Sequence, residues 1–548
     1  MEDILTACCT RLKENGRIVV NGRILLFHDV GGTTMRRAQS IMIQGTHSDA
    51  GKSVISTALC RIFSDMGYKT APFKSQNMAL NSYITLDGKE IGRAQGVQAE
   101  AARTIATTDM NPILIKPSRD YEAQIVVHGK PYKNMQAGAY RQDFFQQGLT
   151  LIKEAYERLD QQFERIVIEG AGSPAEINLN DRELVNMRVA NMTESPVILV
   201  GDIERGGVFA SLVGTLQLIE KSDRDRVIGV IINKFRGDVS LLEPGLDWFT
   251  EYTGVPVLGV VPYTTVKVDA EDSVALKLYS TERNSAKEID IAVIQFPKIS
   301  NFTDIDPFLS EEDCHVRLVS SKEQLQDPDL LILPGSKNTI EDLMFLKQSG
   351  LYEEILKLTK NGKTMVFGVC GGYQMLGVTV EDPEGIESQV TIEDGLKLLP
   401  IYTTITSEKT TTLSKGTIQI NEQTHDVEGY EIHMGVTTFL KPCTSLITHG
   451  TTTDGVISEN QKIIGTYFHG IFDNDSYRAA IINQIRKVKG LKEKHDRVSF
   501  RSQREKAYDQ LADHVKEHIN LPYIEEKMRE YYEKKIHVEI KTAMEGTR

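Results

Sequence analysis

The sequence predicts an α/β protein with two doubly wound domains. Short apolar runs alternate with segments of helical length along most of its 548 residues, and one run in each half ends in a glycine-rich turn that opens a helix. Strands buried on both faces of a parallel sheet are continuous apolar runs of this kind. One core rarely organises so long a chain, because domains commonly hold about 100–200 residues.

The composition narrows the class of protein. Hydrophobic residues make up 40% and charged residues 25%, as in ordinary globular proteins. A net charge of -13 argues against a broad nucleic-acid-binding face, although it allows a local phosphate pocket. The sequence has neither an apolar run near the ~20 residues that span a bilayer nor the pattern of a signal peptide. We therefore expect no nucleic-acid and no membrane partner.

The cysteines indicate the compartment. There are six, without CxxC or Cys/His zinc spacing, so a disulfide framework or zinc site is not expected. This usage fits a reducing, cytoplasmic location.

The first domain is predicted over residues 40–263, and residues 1–39 form an extension to which we assign no role. The extension contains a strand-like pair at 18–20 and 24–27. The apolar runs of the domain itself predict parallel strands at 41–44, 166–169, 197–200, 227–232 and 257–260.

The turn after the first of these strands has the composition of a phosphate loop. Residues 45–53 (GTHSDAGKS) precede a helix predicted over 54–66. Glycines let backbone N–H groups surround phosphate oxygens, and the helix N-terminus adds its positive end. The predicted nucleotide contacts are Gly45, Thr46, Gly51, Lys52 and Ser53, with Lys52 on the β- and γ-phosphates and the Ser53 hydroxyl on Mg²⁺. A plain strand-to-helix turn is the alternative.

Two later strand ends supply further candidates for this site. Glu169 ends the strand at 166–169 and is the predicted second ligand of Mg²⁺, unless it caps a helix or faces solvent. Asn233 follows the strand at 227–232 and is a candidate contact of the base, although asparagine there often caps a turn. Five residues separate Gly45 from Gly51 instead of the usual four, and this longer loop resembles dethiobiotin synthetase and the ParA/MinD-type ATPases. ATP and Mg²⁺ are therefore the predicted cofactors.

A second α/β domain is predicted over 288–480, after a linker at 264–287. Its strands are expected at 289–295, 330–333 and 365–369. The remaining residues, 481–548, have charged and tyrosine residues at helical spacing, which predicts a solvated helix pair packed on this second domain.

Cys370 lies in a turn typical of a catalytic nucleophile. The sequence Gly-Val-Cys-Gly-Gly follows a strand and opens a helix, which permits a strained turn and lowers the pKa of the thiol. The backbone N–H groups of Gly371 and Gly335 are candidate donors to an oxyanion. His469 is the candidate base, since it can form the thiolate and protonate departing ammonia. A buried structural histidine is the alternative.

These residues resemble the type 1 glutamine amidotransferase domains, which hydrolyse glutamine through a cysteine thioester. In most of them an acid lies two residues after the histidine, where this chain has Ile471. The resemblance therefore implies either a Cys370–His469 dyad or an acid from elsewhere, with Glu431 as one candidate.

Several further strings resemble the CobQ/CbiP family of corrinoid amide synthetases over nearly the whole chain from Ser40. They are residues 44–46 with 51–53, 73–82 (FKSQNMALNS), 90–95 (EIGRAQ), 110–112 (MNP), 201–209 (GDIERGGVF) and 429–435 (GYEIHMG). The family implies a glutamine-hydrolysing carbon–nitrogen ligase. It would use ATP and L-glutamine to amidate the b, d, e and g carboxylates of adenosylcobyrinic acid a,c-diamide in cobalamin biosynthesis.

The resemblance also implies substrate contacts within these strings. Lys74 would clamp charge during phosphoryl transfer, and the corrinoid would be contacted by Gln76, Asn77, Asn81 and Arg93. Loop and helix-cap hydrogen bonds are the alternative for these four. Two other functions stay open at this point: a cobyrinic acid a,c-diamide synthase, and a ParA/MinD-like regulatory ATPase with an inactive amidotransferase domain.

Overall fold

The computed structural model describes residues 17–20, 23–26, 37–119, 122–266, 279–420 and 422–545. Three six-stranded sheets lie in these residues, one in the first predicted domain and two in the second. The predicted α/β class with two doubly wound domains is confirmed. Among the described residues, no helix is both long enough and apolar enough to cross a membrane.

The first half of the chain contributes an all-parallel sheet and several short antiparallel pairs. Its strands are β1 (Arg17–Val20), β2 (Arg23–Leu26), β3 (Gln39–Gly45), β4 (Thr70–Phe73), β5 (Gln76–Met78), β6 (Ser82–Ile84), β7 (Glu90–Gly92), β8 (Ile113–Arg119), β9 (Glu122–Val127), β10 (Lys130–Gln136), β11 (Arg165–Glu169), β12 (Val197–Asp202), β13 (Val227–Phe235) and β14 (Val257–Pro262). The central sheet has the order β14-β13-β12-β3-β11-β4. In it β3 lies between β12 and β11, so the ends of these three strands meet at one edge.

The helices of this half are α1 (Lys52–Asp65), α2 (Arg93–Ala101), α3 (Ala137–Asp143), α4 (Phe145–Gln162), α5 (Met187–Thr193), α6 (Val208–Leu218), α7 (Lys221–Arg224) and α8 (Glu243–Thr253). The strand pair expected in the extension forms the antiparallel hairpin β1–β2, while Phe27 lies outside the described residues. Residues 267–278 of the predicted linker also lie outside them.

The second half contributes a central sheet, whose order is β17-β15-β18-β20-β28-β27, and a third sheet, whose order is β22-β21-β23-β25-β26 with β24 paired to β23. Its strands are β15 (Ile289–Ile294), β16 (Ile299–Ser300), β17 (Cys314–Val319), β18 (Leu330–Leu333), β19 (Gly335–Ser336), β20 (Met365–Val369), β21 (Thr379–Glu381), β22 (Ile392–Asp394), β23 (Ile401–Ile420), β24 (Gln423–Phe439), β25 (Ile447–His449), β26 (Thr452–Asp454), β27 (Val456–Ile457) and β28 (Ile463–Thr466). All pairs of the central sheet of this half are parallel except β27 with β28.

The helices of the second half are α9 (Asp306–Leu309), α10 (Lys322–Leu325), α11 (Thr339–Gln348), α12 (Leu351–Asn361), α13 (Gly371–Met375), α14 (Asp475–Val488), α15 (Phe500–Lys516) and α16 (Leu521–Glu545). Apolar side chains from the strands and from α11, α12 and α14 form one continuous core.

The expected packing of the helical tail on the second domain is wrong. Tyr508, Leu511 and Val515 of α15 are buried in the core of the first domain, against α1 and the strands behind it. Arg61 of α1 is buried and bonds Asp509 of α15 through Nη2 at 2.6 Å. The tail thus follows the second domain in the sequence but packs on a face of the first sheet.

Candidate active sites

The phosphate loop joins β3 to α1 and is closely packed against β13. Gly51 has a φ of 104° at the start of α1, and a Cβ there would lie 1.9 Å from Nδ2 of Asn233. Only glycine fits this position without displacing a neighbour. The first turn of α1 contains no acidic residue, and Gly51 provides no side-chain cap. The backbone N–H groups of the first turn of α1 are therefore suited to bind an anion such as a phosphate.

Lys52 bridges this loop to the turn after β11. Its Nζ donates to the carbonyls of His47 at 3.0 Å and Gly172 at 3.2 Å, and the side chain is buried. The ammonium is thus held where phosphate oxygens would meet the loop. Asn233 instead donates to the carbonyl of Ala50 at 3.1 Å, which places it against the loop backbone. A contact of Asn233 with the nucleotide base stays a prediction.

Glu169 is the centre of a buried polar cluster at the end of β11. Its Oε1 accepts from the Ser53 hydroxyl at 2.9 Å and from Lys74 Nζ at 2.8 Å, and its Oε2 accepts from Gln98 Nε2 at 2.5 Å. The carboxylate is 1% exposed, so these donors compensate its burial. The predicted partners Ser53, Glu169 and Lys74 are therefore brought together.

The donors of this cluster fit Mg²⁺. That ion is usually bound by one or two carboxylates, several waters and the phosphates of the substrate, rather than by a cage of side chains. Ser53 Oγ and the Glu169 carboxylate supply this kind of set, and no group of three or more His, Cys, Asp or Glu in the described chain forms a metal cage. The contact between Lys74 and Glu169 would have to loosen when a cation binds.

A cleft of about 2250 Å³ opens from the phosphate loop. Its walls include Lys52, Lys74, Gln76, Asn77 and Glu169. Pockets for single drug-sized ligands commonly measure about 300–1,000 Å³, so the cleft has room for a nucleotide beside a second, larger substrate.

Two of the four predicted corrinoid contacts lie elsewhere. Asn81 and Arg93 are 1% and 8% exposed, near the contact between the two domains. The Arg93 guanidinium lies over the ring of Tyr83 at 5.8 Å, and the Asn81 carbonyl accepts from the Arg93 backbone N–H at 3.2 Å. Gln76 and Asn77 line the cleft but also bond within the fold, to Tyr140 and Gln95 respectively. Asn81 and Arg93 are not among the residues that line the cleft, and a contact of either with the corrinoid stays a prediction.

Cys370 occupies a strained turn between β20 and α13. Its φ of 52° is unusual for a residue with a side chain, and such strain is typical of catalytic nucleophiles. A Cβ on Gly372 would lie 1.9 Å from the Leu333 carbonyl, so the small neighbour is required for the close turn. The Cys370 Sγ lies 3.6 Å from the carbonyl of Ile432 on β24.

The two glycines predicted to bind an oxyanion lie beside the cysteine site. A Cβ on Gly335 would lie 3.1 Å from Cε1 of His469, and one on Gly371 would lie 2.8 Å from the Ser336 backbone nitrogen. Gly335 therefore lies beside His469, and Gly371 lies beside Ser336, the neighbour of Gly335; their role as oxyanion donors stays a prediction.

His469 is oriented by an acid that the sequence analysis did not identify. Its Nδ1 lies 2.7 Å from Oδ2 of Asp304, and the other carboxylate oxygen of Asp304 accepts from the Gly470 backbone N–H at 2.7 Å. His469 is fully buried and stacks on the ring of Tyr430 at 5.1 Å. Asp304 thus fixes the ring so that Nε2, which has no hydrogen-bond partner in the described structure, is left for the reaction.

The surroundings of His469 also set its charge. Burial lowers the pKa of the imidazole, but the carboxylate of Asp304 and the neighbouring Cys370 outweigh that effect and raise the pKa to about 10. An imidazolium is therefore favoured at neutral pH, where it can donate a proton.

Glu431 and His433 do not form this triad. Glu431 accepts from the Ser414 hydroxyl at 2.6 Å and lies 3.6 Å from His433. The His433 ring stacks on Tyr467, with centroids 3.7 Å apart. The sequence offered no signal for Asp304, which lies 165 positions before His469, in a short turn between two strands.

The comparisons with known proteins agree with this pair of sites. Residues 41–274 match a model described as the CobQ/CobB/MinD/ParA nucleotide binding domain. Residues 290–477 match the CobB/CobQ-like glutamine amidotransferase domain.

Curated relatives extend the match to most of the chain. A cobyric acid synthase of Geobacillus sp. (strain WCH70) is 62% identical over 90% of this chain and 98% of its own length. One from Anoxybacillus flavithermus is 61% identical over 91% of this chain and 98% of its own length. One from Clostridium botulinum (strain ATCC 19397 / Type A) is 48% identical over 88% of this chain and 98% of its own length. With such identity across both domains, the chain belongs to the cobyric acid synthase family.

Proposed function

We propose that this chain uses ATP and L-glutamine to amidate the b, d, e and g carboxylates of adenosylcobyrinic acid a,c-diamide. The observation that carries the proposal is that one chain holds both a phosphate loop beside Glu169 and a buried His469–Asp304 pair next to Cys370. The first can activate a carboxylate and the second can release ammonia. Its membership of the cobyric acid synthase family supports a corrinoid as the acceptor.

At the cysteine site, the Cys370 thiolate attacks the side-chain carboxamide carbon of glutamine. Backbone N–H groups of Gly335 and Gly371 stabilise the oxyanion, and His469 protonates the departing nitrogen as ammonia leaves. Water then hydrolyses the thioester with His469 as base, which gives glutamate and restores the thiol.

At the phosphate loop, a corrinoid carboxylate attacks the γ-phosphate of ATP, forming an acyl phosphate and ADP. Ammonia then attacks the acyl carbon and displaces inorganic phosphate, leaving the amide. Lys52 and Lys74 would neutralise the charge that develops on the transferred group. Ser53 and Glu169 would hold Mg²⁺, which screens the phosphate charges when it is bound.

We place the reaction in the cytoplasm. Cys60, Cys314, Cys370 and Cys443 are all free thiols, as expected in a reducing compartment. A thiol nucleophile such as Cys370 needs that environment to stay reduced.

The proposal is tested by supplying the purified protein and ATP with each of two acceptors, adenosylcobyrinic acid a,c-diamide or the corrinoid without amides, and with either glutamine or ammonia. We expect new amides on the a,c-diamide with both nitrogen sources. Products from the unamidated corrinoid alone would instead indicate a cobyrinic acid a,c-diamide synthase. ATP hydrolysis without any amide would indicate a regulatory ATPase.

A further inference from the structure

One short segment of the second domain touches both the base and the oxyanion site of the glutaminase. In the β16–β19 pair, Ser300 lies opposite Gly335, one of the proposed oxyanion donors. Four residues later, Asp304 bonds His469 at 2.7 Å. A displacement of residues 299–304 would therefore disturb the oxyanion donor and the base together.

Asn301, inside this segment, bonds the first domain. Its side-chain Oδ1 accepts from the Ser82 backbone N–H at 2.9 Å, and Asn301 is 3% exposed. Its backbone carbonyl accepts from the Asp304 N–H at 3.3 Å, at the start of the turn that carries the acid. With a φ of 50°, Asn301 adopts a left-handed conformation that asparagine tolerates better than most residues.

On the other side of that bond, hydrogen bonds continue to the ATP site. Ser82 pairs with Gly92 across β6 and β7, and the Gly92 N–H donates to Asn111 Oδ1 at 2.9 Å. Asn111 Nδ2 donates to the carbonyl of Lys74 at 3.0 Å, and Lys74 Nζ bonds Glu169 at 2.8 Å. A continuous set of contacts thus joins Glu169 to Asn301.

Buried charges hold the β6–β7 hairpin against the second domain. Oε1 of Glu90 on β7 accepts from the Ser82 hydroxyl and from Lys116 Nζ, both at 2.6 Å. Its Oε2 lies 2.5 Å from Nζ of Lys409, which belongs to β23 of the second domain. The apolar side chain of Ile84 packs with Tyr430 and Ile432 of β24. Because these groups are buried, the hairpin and the glutaminase are expected to move as one unit.

We propose that Asn301 is a positioning residue that couples glutamine hydrolysis at Cys370 to the occupancy of the ATP site. The coupling rests on the function proposed above. Nucleotide phosphates beside Lys52 would compete with Glu169 for Lys74, so the Lys74 backbone and its bond to Asn111 differ between the empty and the occupied site. Through the Ser82–Asn301 bond, this change in position shifts residues 299–304. Parts of the strings at 73–82, 90–95 and 110–112 thus serve communication between the domains rather than corrinoid recognition.

The test compares glutamate release with and without a non-hydrolysable ATP analogue plus the a,c-diamide corrinoid. We expect these ligands to stimulate the wild-type glutaminase by about 5-fold or more. Asn301→Gly keeps the left-handed backbone but removes the acceptor, and we expect it to lower that stimulation by about twofold or more. Ammonia-dependent amidation should change by less than about twofold, since Asn301 is outside the ATP site.

Two further variants separate coupling from general damage. Gln326→Gly also replaces a residue of positive φ by glycine, at an exposed position of the second domain, and should keep the full stimulation. Asn301→Asp retains an oxygen acceptor for the Ser82 N–H and should keep more stimulation than Asn301→Gly. Thermal unfolding of each variant shows whether it is folded.

The proposal is overturned if the ligands do not stimulate glutamate release by the wild type. It is also overturned if a folded Asn301→Gly enzyme is stimulated as much as the wild type. If Asn301→Gly does not fold, Asn301→Ala, which also removes the acceptor, decides: reduced stimulation with intact ammonia-dependent synthesis supports the proposal, and wild-type stimulation contradicts it. A failure of the proposed function differs from all of these outcomes, because the wild type would then form no amide from either nitrogen source.

Discussion

The two active sites of this chain differ in how complete they are without ligands. At the cysteine site, Asp304, His469 and Cys370 are buried, and Asp304 already bonds His469 at 2.7 Å. At the phosphate loop, Lys52 and Glu169 bond other groups of the protein and border an open cleft. The glutaminase is therefore preorganised, whereas the synthetase site exchanges internal bonds for bonds to its substrates.

This difference follows from the chemistry of the two reactions. Glutamine hydrolysis needs one small substrate and a fixed acid–base pair, which packing can hold rigidly. Amidation needs ATP, a cation, a large acceptor and ammonia in one place, and the charges of the substrates complete the site. The predictions below change one site at a time and ask whether the other is affected.

The largest effect is expected from the nucleophile. Cys370→Ala should lower glutamine-dependent amidation by about 10⁵-fold or more, because no other group forms the thioester. Ammonia-dependent amidation should persist, since the phosphate loop is unchanged. The measurement is amide formation with each nitrogen source. Cys314→Ala, at another buried thiol of the same domain, is the control and should leave both activities in place. Equal loss with glutamine and ammonia would show that the two sites are not separable.

Asp304 should affect the cysteine site by a smaller factor and also change its pH dependence. Asp304→Asn removes the carboxylate that raises the pKa of His469, and an amide can hold the ring in the wrong tautomer, so we expect kcat/KM for glutamine to fall by about 10³–10⁴-fold. The pKa of His469 should fall from about 10, and the imidazolium that protonates ammonia should be lost at lower pH. The alkaline limb of kcat/KM therefore moves to lower pH.

The matched control for that change is Asp306→Asn, two residues further along, where the carboxylate accepts from the Tyr279 hydroxyl at 2.6 Å. It should leave the pH profile unchanged. An Asp304→Asn profile that coincides with the wild type would remove Asp304 from the triad.

At the phosphate loop, Glu169→Gln should lower amidation by about 10²–10³-fold with glutamine and with ammonia alike. The amide keeps the size of the side chain but loses the charge that pairs with Lys74 and suits Mg²⁺. Glutamate release without nucleotide should persist, because the cysteine site itself is unchanged. A Glu169→Gln enzyme that is impaired with glutamine only would contradict the assignment of Glu169 to the ATP site.

The smallest predicted effect is on stability. Leu511 of α15 is 1% exposed in the core of the first domain, so Leu511→Ala should lower the free energy of unfolding by about 2–5 kcal/mol. Leu241→Ala, at a side chain that is 83% exposed, should change it by less than about 0.5 kcal/mol. Denaturant unfolding, followed in the presence and absence of an ATP analogue, measures both. Equal values for the two variants would contradict the packing of the tail on the first domain.

The parts of this molecule that the sequence predicted are those with a local signal. The apolar runs at 330–333 and 365–369 coincide with β18 and β20, because buried parallel strands are apolar throughout. The phosphate loop and the Cys370 turn were found because glycine is required at fixed positions within a few residues.

The rest depends on contacts between residues that are distant in the chain. Asp304 reaches His469 across 165 positions. The tail has the predicted helical period, but the period indicates only that an apolar face exists and not which domain it covers. The long β23–β24 hairpin is rich in threonine and charged residues, so it lacked the apolar runs from which strands were predicted. Tertiary packing decides each of these features.

The central claim, that one chain passes nitrogen from glutamine to a corrinoid, is tested most directly with glutamine labelled by ¹⁵N in its side-chain amide. The purified protein is supplied with ATP, the labelled glutamine and adenosylcobyrinic acid a,c-diamide, and the product is analysed by mass spectrometry. We predict labelled amides at positions b, d, e and g, and no corrinoid label in the Cys370→Ala enzyme. An unlabelled corrinoid from the wild type, or a label that persists in Cys370→Ala, would contradict the account.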